Sequence, residues 1–246
     1  MKTRAITLLT AMLISPMIYA QVHLFLEERQ VPLEDGSATG WVFPVVQDLD
    51  EALKDLDDFC KDRSDVRMKR DGDNALIAEE VSIPAIATKR GDLIGYGFTS
   101  GTDNVLGLVF KLGYDITLNS QDWESEMNNF HTYARQFMSY HYEQAYDRRM
   151  EEIDKEIKTL EKEKDRIDKD IAQLNKRIEN NNNRIEKETD EGKLSEFRDE
   201  IASYETDIEN LNNELPSVES KLEELQGRKD KLNTESHTYL GSIGSL

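Results

Sequence analysis

Two series of apolar residues in strict 3-4 spacing constrain this chain more than any other feature. The first runs Met150, Ile153, Ile157, Leu160, Lys164, Ile167, Ile171, Leu174, Ile178, Asn181 and Ile185. The second runs Leu194, Phe197, Ile201, Tyr204, Ile208, Leu211, Leu215, Val218, Leu222, Leu225, Lys229 and Leu232. Only Lys164, Asn181 and Lys229 are polar. Such a seam, sustained over roughly five heptads with charge between its members, specifies a coiled coil.

The two series are out of phase. Ile185 and Leu194 are 9 residues apart, and at about 100° per residue nine steps carry the stripe half a turn round the helix. A straight rod would place its two stripes on opposite sides. A reversal at Thr189, Asp190, Glu191, Gly192 and Lys193 lets them face each other, with Asp190 capping the second helix and Gly192 suiting a helix end. The expected result is an antiparallel α-helical hairpin over residues 146–235 in which paired residue numbers sum to roughly 381. Its arms would project on the order of 60 Å. Pro216 lies in the second arm, where a kink without termination is expected.

Residues 21–145 have a different texture, richer in glycine and β-branched runs. "HLFLEE" and "WVFPVV" read as strands, Leu49 to Arg63 as an amphipathic helix, and "DVRMKR" and "NALIAEEVSI" as a hairpin around Asp71-Gly72. "AIATKRGDLIGYGF" reads as a hairpin turning at Arg90-Gly91-Asp92, and Asn104 to Leu118 as a final strand. Asn119 or Ser120 would cap the next helix, whose stripe of Trp123, Met127, Phe130, Ala134 and Phe137, widened by Tyr133 and Tyr140, suits a sheet-covering role. A phase shift after Phe137 means that this helix either uses two faces or breaks near Ser139 to Gln144. The fold class is therefore α+β, in the order β-α-β-β-β-β-α, followed by the hairpin. That order resembles that of TBP-like folds, a likeness of element order that transfers no function. The tail, residues 236–246, carries Tyr239, Leu240, Ile243 and Leu246 and either docks near Tyr142 and Tyr146 or frays.

Residues 1–20 read as a secretory signal peptide: Lys2 and Arg4, an apolar core, then Ala20 at the cut. The formal net charge is −19, and residues 21–142 and 143–246 are both strongly acidic. Nucleic acid and anionic lipid surfaces are thereby disfavoured. No stable membrane insertion is expected once the leader is removed. Cys60 is the single cysteine; it lies on the apolar face of the first helix and reads as a core residue.

No catalytic residue, cofactor site or metal site emerges. "GYGFTSG" lacks the context of a phosphate loop. His23, His131, His141 and His237 read as solvated surface histidines, although the hairpin would bring His141 near His237 and so raises a zinc alternative. The leading expectation is a non-catalytic secreted or periplasmic protein whose hairpin is a spacer or a protein-interaction arm, through a protein partner or self-association, with the tip as a contact site. In architecture it resembles periplasmic adaptor hairpins. Two alternatives stand beside it. One is a ligand-binding or enzymatic α+β domain oligomerised by the coil. The other is an adhesive factor using the Arg90-Gly91-Asp92 turn, a tripeptide that resembles the motif read by integrins.

Overall fold

The computed structural model describes residues 24–246 except 35, 47, 114 and 115. The leader, 1–20, and His23 lie outside the described residues. The elements are β1 (Glu27–Leu33), β2 (Gly36–Pro44), α1 (Leu49–Ser64), β3 (Lys69–Arg70), β4 (Ala75–Val81), β5 (Gly91–Ser100), β6 (Asp103–Lys111), α2 (Glu124–Ile185) and α3 (Glu191–Ile243). The six strands form one antiparallel sheet in the order β1-β2-β6-β5-β4-β3. From β2 onward the β-α-β-β-β-β-α order holds, and β1 is an added edge strand hydrogen-bonded along β2.

Helix α1 forms because Asp48 caps it, its carboxylate accepting from Glu51 N at 2.8 Å. It ends where Asp65 turns left-handed at φ 52. Its buried stripe of Ala52, Leu53, Leu56, Phe59 and Cys60 lies on the sheet. A Cβ at Gly95 would sit 2.2 Å from Leu56 Cδ2, and one at Gly97 3.0 Å from Leu49 Cδ2. These strand glycines let the helix approach the sheet. The first half of α2 packs beside α1, with Met127, Phe130, Ala134 and Phe137 buried. Phe137 meets Phe43 at 5.7 Å and Phe59 at 5.4 Å between ring centroids.

The opposite face of the sheet has a core of its own: Val31, Val42, Ile94, Val105 and Val109. Val31 on β1 lies over Gly107 on β6, where a Cβ would come within 2.6 Å of both its methyls. Beyond its neighbour β2, β1 also touches β5 and β6, so the sheet curls over this face and buries it with strand residues alone.

Several expected boundaries move. The first strand begins at Glu27, with Leu24, Phe25 and Leu26 ahead of it, and the second begins at Gly36 and stops at Pro44. In "DVRMKR" only Lys69 and Arg70 pair; Met68 N instead donates to Asp57 Oδ1 at 2.8 Å. "AIATKR" is turn rather than strand, and Gly91 and Asp92 belong to β5, where Asp92 accepts from Glu80 N at 2.8 Å. The tight turn of that region is instead between β5 and β6, around Gly101 at φ +66. The last strand ends at Lys111, and the chain folds back so that Thr117 bridges to it. Asn119 makes a turn before α2, accepting from Gln121 N and Asp122 N, and the helix proper begins at Glu124.

Helix α2 runs 62 residues without a break at Ser139 to Gln144. It uses one face on the sheet and another on α3. Helix α3 runs 53 residues through Pro216 to Ile243. The tail docks: Tyr239 lies 6.1 Å from Tyr142 and 6.3 Å from Tyr146, and Ile243 is buried, whereas Leu246 at the very end stays exposed.

Candidate functional site

The hairpin is the most distinctive feature, and its polar seam positions set its register. Lys164 Nζ reaches Glu219 at 2.5 Å, Lys229 Nζ reaches Asp154 at 2.5 Å, and Asn181 Nδ2 donates to Glu200 at 2.8 Å. Arg177 stacks over Tyr204 at 5.8 Å and Arg184 over Phe197 at 4.1 Å. The numbers in these pairs sum to 381 or 383. Each polar interruption of the seam therefore has a partner on the other arm. A one-heptad slip would separate all of them.

Every apolar seam residue is at least half-buried. Ile153, Ile167, Phe197, Val218, Leu225 and Leu232 are buried. Met150, Ile157, Leu160, Ile171, Leu174, Ile178, Ile185, Leu194, Ile201, Tyr204, Ile208, Leu211, Leu215 and Leu222 are half-buried.

The tip lies a few residues earlier than expected. Helix α2 stops at Ile185, and Glu191, Gly192 and Lys193 already belong to the first turn of α3. Asp190 is the cap, its Oδ1 accepting from Gly192 N at 2.9 Å and Lys193 N at 3.2 Å. The missing element was Glu188, whose carboxylate accepts from Thr189 N and Asp190 N at 3.0 and 3.1 Å. Those two bonds hold its pKa below the usual glutamate value. Gly192 thus starts a helix rather than ending one.

At the root, sequence reasoning missed a buried ionic cluster. His141 is fully buried, not solvated, and its Nδ1 lies 2.7 Å from Asp55 Oδ2. Arg148 closes on both Asp55 oxygens at 2.8 Å and lies 3.7 Å from Glu51. Burial works to raise the pKa of Asp55, but the hydrogen bonds from Arg148 and His141 outweigh it and hold the carboxyl below its usual value. A signal was present: His141 and Arg148 are seven apart on one helix, and Asp55 stands inside the apolar stripe of α1. The buried His141 Nε2 has no hydrogen-bond partner in the structure. His237 is exposed and bonded to Asn233 O at 2.7 Å, so the two histidines do not form a zinc pair. Among the described residues no group of three or more His, Cys, Asp or Glu is placed to hold a metal ion.

Cys60 is buried and hydrogen-bonded by Tyr133 at 3.5 Å, and burial pushes its thiol up to about 12, which makes it inert. A hollow of about 520 Å³ lies between the start of α1 and the β3–β4 turn, lined by Asp48, Asp50, Arg70, Asp73, Asn74 and Asn104 among others. It is open, and Arg70 within it is bound to Asp50 and to Asp73 O. Among the described residues no helix is long and apolar enough to cross a membrane.

The fold and these arms define a class: an α+β domain bearing a long intramolecular helical hairpin. No family model, curated protein or solved structure matches the chain.

Proposed function

We propose that this is an exported protein, secreted or periplasmic, in which the hairpin works as a spacer and protein-interaction arm and the α+β domain as its mount. The observation that carries this reading is that the arms use their polar seam residues on each other, so the hairpin needs no second chain to hold its register. Beyond Tyr146 it extends on the order of 60 Å. The docked C-terminus and the Asp55–His141–Arg148 cluster fix its root, as a lever arm requires.

The test uses a photo-crosslinking amino acid at Thr189 in intact cells, read by mass spectrometry. It is repeated in a chain lacking 158–171 and 211–224. That paired deletion removes two heptads from each arm in register, and with them the whole Lys164–Glu219 pair. The expected result is one discrete foreign adduct from the full-length tip and its loss from the shortened, still folded chain. Adducts of the protein with itself alone, or an adduct indifferent to arm length, would overturn the reading.

A further inference from the structure

The two sides of the hairpin differ. The seam consists of two rows on each helix. One row holds Ile153, Ile167, Asn181, Phe197, Val218, Leu225 and Leu232, all buried, with Leu160, Leu174, Tyr204 and Leu211 half-buried between them. The other holds Ile157, Ile171, Ile178, Ile201, Ile208 and Leu222, all partly open to solvent. Lys164 and Lys229 belong to this second row, and the carboxylates they reach, Glu219 and Asp154, mark the side on which it lies.

Heptad geometry places the outward positions of that same side. They include Glu161, Asp168, Glu205, Glu209, Glu223 and Asp230, all exposed. Against them Lys158 and Arg198 are the basic residues, because Lys164 and Lys229 are already paired. The other side differs in both respects. Its seam row is largely buried, Arg177 and Arg184 cover Tyr204 and Phe197, and Lys193, Lys221 and Arg228 balance its acids. One side is therefore an apolar strip with a carboxylate margin; the other is covered and close to neutral.

We infer that the open acidic side receives a cationic amphipathic helix from a partner protein, laid lengthwise along the arms as a third strand. Such a helix would complete the burial of the second seam row with its apolar stripe and set its Lys or Arg flanks against the carboxylates. The inference rests on the reading of the hairpin as an interaction arm and names the chemistry of the partner. A second copy fits poorly. The exposed Lys155, Lys162, Lys169 and Lys176, spaced by sevens on α2, supply charge but have no large apolar row beside them. Pairing two copies through the open side itself would set acid against acid.

The test is fluorescence anisotropy on the whole mature protein, with labelled four-heptad peptides as probes. One carries a leucine stripe flanked by lysine, a second the same stripe flanked by glutamate, and a third the lysines with serine in place of the stripe. Two variants change net charge equally: Glu161→Lys/Asp168→Lys/Glu205→Lys on the open side, and Glu156→Lys/Asp170→Lys/Asp207→Lys on the covered side. Circular dichroism confirms that both fold. The lysine–leucine peptide is expected to bind at least about tenfold more tightly than either control. The open-side triple should lower its affinity about tenfold, and the covered-side triple less than about threefold.

Equal losses from the two triples would reduce the effect to bulk charge and overturn the inference. So would equal binding of the serine peptide, or sedimentation showing that the free protein already covers the strip by dimerising. If the tip adduct persists while the open-side triple leaves peptide binding unchanged, this inference fails and the arm reading stands; loss of the tip adduct from folded wild-type protein defeats the arm reading itself.

Discussion

At the scale of single residues, Asp55 bears the most. It sits on α1 and is held by two residues of α2, so it ties the mount to the arm. Asp55→Asn leaves Arg148 facing a neutral amide in a site closed on most sides. It is expected to cost about 3 kcal/mol in urea unfolding. The pH dependence follows from the direction of its shift. Its folded pKa lies below the unfolded one, so its contribution is complete above the ordinary aspartate range and disappears as pH falls through the folded value. Stability measured from pH 6 down to pH 2 should fall on that limb in the wild type, and the part due to Asp55 should be missing in Asp55→Asn. A second residue-scale prediction concerns Gly107. An alanine there would place its Cβ against both methyls of Val31, a stiff β-branched side chain in the face that has no helix over it. Gly107→Ala should destabilise by about 1–3 kcal/mol in the same assay. The β-branched texture pointed to a sheet, but a residue-by-residue reading does not show which glycine faces which valine across strands.

At the scale of elements, the arms make the sharpest prediction. Ile171→Cys with Leu211→Cys should close an intramolecular disulfide under mild oxidation, because those positions sum to 382, within the observed 381 to 383 register. Ile171→Cys with Tyr204→Cys, one heptad off, should not. The buried, inert Cys60 leaves the assay clean, and non-reducing electrophoresis with intact-mass analysis reads it. The lysines at seam positions make a further point. Lys164→Leu with Lys229→Leu should raise the thermal midpoint, since a polar residue at such a position costs stability. The same variant should weaken register discrimination, visible as some 171–204 crosslink in a Cys-bearing version.

The hairpin itself was legible from two phase-shifted stripes, because the period of an α-helix turns spacing into geometry. The position of its tip was less legible. Asp190 could be named as a cap, but Glu188 gathers two backbone N–H groups and moves the reversal earlier. A side chain bonding to the main chain just after its own residue leaves no periodic trace. Strand ends were misjudged for a related reason: pairing is decided by the neighbouring strand, and "AIATKR" has no neighbour to pair with.

At the scale of the whole molecule, the protein is a long helical hairpin rooted in an α+β domain. Two helices of about 93 and 80 Å share a root that is packed into the domain by Tyr142, Tyr146 and Tyr239. Small-angle scattering should report an elongated particle whose maximum dimension falls by about 20 Å in the paired two-heptad deletion. An unchanged dimension would mean that the arms fold back on the domain in solution. Mass spectrometry of the protein recovered from its native compartment should find an N-terminus near Gln21; an intact Met1 would count against export.

Periodicity alone determined the two arms, their antiparallel sense and their register, because these depend only on which residues share a helical face. Tertiary structure decided what periodicity cannot carry: the burial of His141 with Asp55 and Arg148, the docking of the tail, and the side of the hairpin left open. Each of these depends on residues far apart in the chain meeting at a distance of a few ångströms. Such meetings are set by how whole elements pack and have no counterpart in local spacing.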